Sequence, residues 1–172
     1  MTDTNPVRLR AVELDDLAFT RRCRNDTAVH VPALGRRFPI TEVGEETWFR
    51  TLGQGSPPEE VTYIVAARES GDALGLTTLR GIDWINRTAM FGVWIAPDAQ
   101  GNGVGKAATS EMLSVAFGRL NLRKVALEVL ASNERAVSMY RSLGFAEEGR
   151  FAEQVFVDGK YEDVIRMAIL AP

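Results

Sequence analysis

Val7, Leu9 and Ala11 alternate with Arg8 and Arg10, the period of a strand with one buried face. Asp15 and Asp16, acids where a helix dipole favours them, open a helical stretch that runs through Arg24. Residues 25–40 carry Pro32, Gly35 and Pro39 and read as an irregular connection, of a length that often has a functional role. Thr41 and the acids Glu42, Glu45 and Glu46 precede Trp48, Phe49 and Leu52, which predicts a short amphipathic helix ending near Gly53. Two β-rich runs, 62–68 and 74–82, flank the turn pair Gly71-Asp72, and a third, 88–95, extends this hairpin into an antiparallel meander.

The period changes after Pro97. Val104, Ala108, Met112 and Val115 recur at helical spacing and predict a helix from about Gly103 to about Gly118. Val125, Leu127 and Val129 alternate as a strand. Ser132 and Asn133 then cap a helix with Ala136, Val137, Tyr140 and Leu143 on its apolar face, closed by Gly144. Two last strands, 145–157 and 163–170, meet at Asp158-Gly159. The order is that of an α/β fold with a mixed sheet, in which the helix after Gly103 makes a parallel crossover. Without a linker, repeat or low-complexity tract, residues 1–172 are expected to form one domain.

The segment Gln100-Gly101-Asn102-Gly103-Val104-Gly105-Lys106 puts glycines between a strand and a helix. Glycine lets backbone N–H groups approach an anion, and a helix N-terminus adds unpaired donors and a favourable dipole, so the pattern asks for phosphate. A P-loop fails at two defining positions: Gln100 stands where its first glycine belongs, and Ala107 follows Lys106. A dinucleotide site is a closer competitor, because Gly103 to Ala108 fits G-x-G-x-x-A and Glu128 follows twenty residues on. That motif wants its first glycine directly after a strand, whereas Pro97 and further residues separate Ala96 from Gly103.

Gln100-Gly101-Asn102-Gly103-Val104-Gly105 also matches [QR]-x-x-G-x-[GA], and here the chain resembles the GNAT family of N-acetyltransferases. Val93-Trp94-Ile95-Ala96-Pro97 looks like that family's fourth strand. Leu127-Glu128-Val129, then Asn133, Ala136, Tyr140 and Gly144-Phe145, is similar to its pattern L-x-V…N-x-x-A…Y-x-x-x-G-F. The first strand, the early helices and residues 157–164 resemble the ribosomal-protein alanine N-acetyltransferase branch. The resemblance implies a twisted, mixed, mostly antiparallel sheet with splayed central strands and helices on both faces. It implies acetyl-coenzyme A as cosubstrate, no metal, and a primary amine acceptor that is either a protein N-terminus or a small molecule.

By the same resemblance, the backbone of Gln100, Gly101, Asn102, Gly103, Val104, Gly105 and Lys106 holds the pyrophosphate. The backbone of Val93 and Ile95 lines the pantetheine arm, Asn133 hydrogen-bonds it, and Tyr140 protonates the leaving thiolate. Ala136, Tyr140 and Leu143 read equally as a core face. Many relatives carry an acid on the fourth strand where this chain has Met90, which leaves the general base open and keeps a non-catalytic acyl-CoA-binding module as an alternative. Glu128 could activate the amine through water, or be an ordinary polar strand position. His30, the only histidine, could accept a proton, but a lone exposed histidine usually does nothing. Asp83, Glu42, Glu45 and Glu46 could attract a cation or form solvated faces. Trp48, Phe49 and Trp84 read as packing residues, and Cys23 as a small buried hydrophobe.

A composition of 45% hydrophobic and 25% charged residues is that of a folding chain. A net charge of −3 gives no basic field for nucleic acid, and Arg21-Arg22-Cys23-Arg24 and Arg36-Arg37 are short enough to be solvated faces. One cysteine allows no internal disulfide or cysteine-built metal site. No segment approaches the roughly 20 apolar residues that span a bilayer, and residues 1–10 lack a leader pattern. The expectation is a cytoplasmic monomer or homodimer.

Overall fold

The computed structural model describes residues 5–35 and 38–172; the Arg36-Arg37 pair lies outside the described residues. Seven strands form one sheet: β1 Val7–Arg10, β2 Glu60–Ala67, β3 Ala73–Asp83, β4 Thr88–Ile95, β5 Lys124–Leu130, β6 Ala146–Val157 and β7 Lys160–Leu170. Their order is β1-β2-β3-β4-β5-β7-β6, antiparallel throughout except for the β4–β5 pair. That exception follows from the crossover helix α4, Val104–Ser114, which returns the chain to the same end of the sheet.

Alternation along β2 sorts the two faces. Val65 turns towards α4 and packs with Val7, Ile95, Val104 and Ala108. Its neighbours Ile64 and Ala66 turn the other way, onto Trp48, Phe49 and Leu52 of the helix α3, Glu42–Thr51, and the residue after it. Helices therefore cover both faces. The helix α5, Glu134–Ser142, lies on the α4 side, where its Val137 and Tyr140 join Phe91, Met112, Leu127 and Val129 in the largest core cluster. Full burial of each such apolar side chain contributes about 1.5–3 kcal/mol, so this shared interior holds α5 against the sheet.

Three expectations change. The connection 25–40 is not wholly irregular: after α1, Leu17–Arg24, it contains one helical turn, α2 Thr27–His30, whose N-cap Asp26 accepts from the Ala28 N–H at 2.8 Å. The helix expected to reach Gly118 keeps α geometry only to Ser114 and then widens into a π-helical turn, Val115–Arg119. The last strand begins at Lys160, three residues earlier than its apolar pattern, because Asp158 (φ 46°) and Gly159 (φ 87°) both adopt the left-handed geometry of a tight hairpin.

Candidate active site

Strand β4 stays paired with β3 as far as Ile95↔Gly75, and β5 stays paired with β7 as far as Leu130↔Val164. The two meet each other only at Thr88↔Lys124, Ala89↔Val125 and Met90↔Ala126. Each strand is thus held by its outer neighbour while they diverge past Met90, leaving a V-shaped gap in the sheet. The Ala96 N–H donates to Leu74 O at 2.8 Å and Gly92 O accepts from Thr77 Oγ1 at 3.1 Å, so even-numbered peptide groups of β4 face β3. Alternation then turns the peptide groups of Val93 and Ile95 towards the gap. Ile95 O accepts from the Gln100 Nε2 at 2.9 Å, so this glutamine side chain folds back and ties the glycine loop to the lip of the gap.

The loop begins with a single 3-10 turn, Pro97–Ala99, and Gly101 and Gly103 follow with φ of 90° and 76°. Gly103 is the N-cap of α4 in a left-handed conformation that other residues adopt only with strain, and no side chain caps the helix. The first N–H groups of α4 are therefore left to a ligand or solvent. A Cβ at Gly103 would meet nothing within 4 Å, and one at Gly101 would meet only the Arg135 guanidinium at 3.9 Å. Val104 is buried and anchors the loop, while Asn102 and Lys106 are exposed. An open glycine loop with a positive helix end and Arg135 beside it fits a pyrophosphate. Arg135 escaped the sequence analysis because only the fold brings α5 beside the loop. The intervening 3-10 turn and the antiparallel β3–β4 pairing count against the dinucleotide alternative.

Asn133 is the N-cap of α5: its Oδ1 accepts from the Ala136 N–H at 3.2 Å, and its amide donors have no partner among the described residues. Tyr140 stands two turns further along the helix, 8% exposed, edge-on to Phe91 and Phe145. Burial pushes its phenol up to about 12. It keeps its proton at neutral pH and can act only as an acid there.

The opposite face carries Met90 and Glu128. Met90 sits at the last pair before the strands part. Glu128 is 36% exposed and pairs across β5 and β7 with Arg166 at 3.6 Å. Glu45 is not on a solvated face: it is 1% exposed and accepts from Arg24 Nη1 at 2.9 Å, with the same guanidinium 4.5 Å from the Trp48 ring centre. Its Oε1 has no partner among the described residues, and with Asp15, Arg21, Glu42 and Glu46 it lines a cavity of about 300 Å³ between α1 and α3. Asp83 is a turn residue: hydrogen bonds from Asn86 and Ile85 hold its carboxyl below the usual range. Trp48 and Phe49 pack under α3, Trp84 packs and donates to Pro58 O at 2.9 Å, and burial pushes the Cys23 thiol up, away from reactivity. His30 is half-buried rather than exposed, with Nδ1 enclosed and without a partner among the described residues.

The acetyltransferase (GNAT) domain model matches residues 7–146. Spermidine N(1)-acetyltransferase of Vibrio cholerae serotype O1 is 33% identical over 162 residues, covering 94% of this chain and 91% of the relative. The crystal structure of spermidine N-acetyltransferase from Vibrio cholerae in complex with CoA and spermine superposes with a TM-score of 0.89 at 32% identity, over 96% of this chain and 95% of the other. A dodecameric structure of the Vibrio cholerae enzyme, in an intermediate state, superposes with a TM-score of 0.82 at 32% identity, over 96% and 94%. A putative ribosomal N-acetyltransferase of Bacillus subtilis also matches, at 32% identity over 100 residues, but over 58% of this chain and 55% of the relative, a smaller share than the spermidine enzyme covers, so the expected ribosomal-protein alanine branch is not the better match. No helix among the described residues is long and apolar enough to cross a membrane.

Proposed function

The chain belongs to the GNAT acetyltransferase family and is an acetyl-CoA-dependent N-acetyltransferase, and from that premise we propose that its acceptor is a polyamine of the spermidine class. What carries this choice over a protein N-terminus is the near full-length similarity to a spermidine acetyltransferase. Around one cavity Asp15, Glu42 and Glu46 outnumber Arg21, with Glu45 already paired to Arg24, and this acidic excess draws a polycation to the α1–α3 face.

Residues 1–172 work as one domain in this reading. The N–H groups of the Gln100 to Lys106 loop hold the pyrophosphate, with Arg135 adding charge. The Val93 and Ile95 peptide groups and the Asn133 amide hold the pantetheine arm in the gap between β4 and β5. Acetyl-CoA supplies the thioester. Tyr140 approaches the sulfur from the α5 side and gives it a proton, while the amine enters from the other face, where Glu128 takes up the proton that nitrogen sheds. Positioning the amine beside the thioester supplies much of the rate. Copies of the chain associate in this account: β6 and β7 expose Phe151, Phe156 and Tyr161, apolar surface suited to a homo-oligomeric contact beyond the expected monomer or homodimer.

Thiol release from acetyl-CoA, followed with a panel of amines, tests the proposal. Spermidine and spermine should be turned over, and peptides beginning with alanine should not. The reverse order of acceptors would return the chain to the ribosomal-protein branch.

A further inference from the structure

Residues 29–34 cross the open end of the gap on the face opposite Tyr140. Val29 packs with Ala96 and Trp94, at the end of β4. Val31 and Leu34 pack with Leu130, the last residue of β5, and with Val157 and Val164. One short segment therefore touches both arms of the V, and His30 lies between its two footholds. The segment is fastened at both ends: Asn25 Nδ2 donates to Ile40 O at 2.9 Å and the Ile40 N–H returns to Asn25 Oδ1 at 2.8 Å. Within it, the Gly35 N–H donates to His30 O at 2.7 Å, and a Cβ on Gly35 would press to 3.2 Å on the His30 Cβ.

His30 Nδ1 is one of two buried side-chain polar atoms without a partner among the described residues; the other, Glu45 Oε1, belongs to the acidic cavity. A buried ring nitrogen in a fastened segment, with no partner among the described residues, suits a ligand group: in the tautomer protonated at Nε2 it accepts from a donor that arrives with the ligand. We infer that His30 is an acceptor-binding residue, its Nδ1 accepting a hydrogen bond from the amine nitrogen at the mouth of the gap. It thereby orients the nitrogen lone pair towards the thioester, a role for which Met90 has no polar atom. The inference rests on the acetyl-transfer reading above and adds to it the residue that receives the amine.

Two substitutions separate this role from packing. His30→Leu keeps the bulk and removes the orphaned nitrogen; His30→Asn puts an amide oxygen where Nδ1 stood. His30→Leu should lower kcat/KM for spermidine by about 10-fold or more, leave KM for acetyl-CoA within about twofold, and leave Tm unchanged or raised. His30→Asn should recover most of the lost activity. A packing residue would behave oppositely, with leucine tolerated and asparagine harmful. Parent-like kcat/KM in His30→Leu, or equal losses in both variants with a lowered Tm, overturns the inference. Should the parent acetylate no amine, the functional reading fails, and calorimetric titration of spermidine into the CoA complex still decides this one. Binding by the parent that His30→Leu loses supports it; identical binding, or none to either protein, overturns it.

Discussion

Tyr140 and Glu128 stand on opposite faces of the sheet: Tyr140 packs with Leu127 and Val129, and Glu128, between them on β5, turns the other way to Arg166. The gap between β4 and β5 is where the two faces communicate. An acid on one side and a proton acceptor on the other can then serve one reaction without touching.

If Glu128 takes the proton from the amine, Glu128→Gln should lower kcat by about 10-fold or more with CoA affinity unchanged. Its ion pair with Arg166 is half-exposed and worth at most about 1 kcal/mol, so the fold should survive. Steady-state kinetics beside a thermal melt check both halves. Full activity in the variant would reduce Glu128 to a partner of Arg166.

Tyr140→Phe keeps the ring against Phe91 and Phe145 and removes only the hydroxyl. Turnover should fall by about 10- to 1000-fold, with the dissociation constant of acetyl-CoA little changed. A parent-like rate under conditions where chemistry limits turnover would leave Tyr140 a core residue.

The same phenol makes a pH prediction. Burial pushes Tyr140 up to about 12, whereas a tyrosine in the unfolded chain ionises near ~10. Below about pH 10 the group is protonated in both states. From there to about pH 12 the unfolded chain releases a proton that the folded chain keeps, so stability falls with rising pH, by roughly 2–3 kcal/mol at the upper end. Urea midpoints across this window should fall for the parent and fall less for Tyr140→Phe.

In the loop, Gly105→Val is a cleaner probe than Gly103→Val. Gly105 has ordinary helical geometry, and an added Cβ would lie 3.8 Å from Ile95 and Met139, whereas any side chain at Gly103 is strained at φ 76° whatever it blocks. Gly105→Val should cut CoA affinity by about 10-fold or more while the melting temperature stays close to the parent's. Calorimetry with CoA reads the first and a melt reads the second; undiminished affinity would remove the loop from the cofactor site.

The sequence made the glycine loop and β4 legible because their signals are local. A phosphate cradle is made of consecutive backbone groups, and β4 alternates over its whole length, so its observed bounds, Thr88–Ile95, are those the pattern predicts. What joins distant segments was not legible. One turn is too short to display a helical period, so α2 depends on Val29 finding Trp94 and Ala96. Glu45 reads as a surface acid until the fold brings Arg24 to it from another helix. Nothing near Gly75 announces that a Cβ there would run into the Trp94 carbonyl oxygen. The glycine loop is built from consecutive residues and shows in the sequence, whereas Arg135 beside it and the Arg24–Glu45 pair come from long-range contacts and needed the structure.

The Arg24–Glu45 contact gives a stability test. Removing Arg24 leaves a carboxylate that is 1% exposed without its charge partner, a loss that typically costs about 3–5 kcal/mol. Arg24→Met should lower the denaturation midpoint markedly, and Arg24→Met with Glu45→Gln should recover part of the loss. An unchanged midpoint in the single variant would mean that Glu45 is neutralised by other means.

Acetyl transfer to a polyamine through this gap is tested most directly by offering spermidine and an alanine-initiated peptide together with acetyl-CoA and identifying the products by mass spectrometry. The account predicts acetylspermidine formed one for one with released thiol and the peptide left unmodified. An acetylated peptide beside untouched spermidine, or thiol release without acetylation of either, would contradict it.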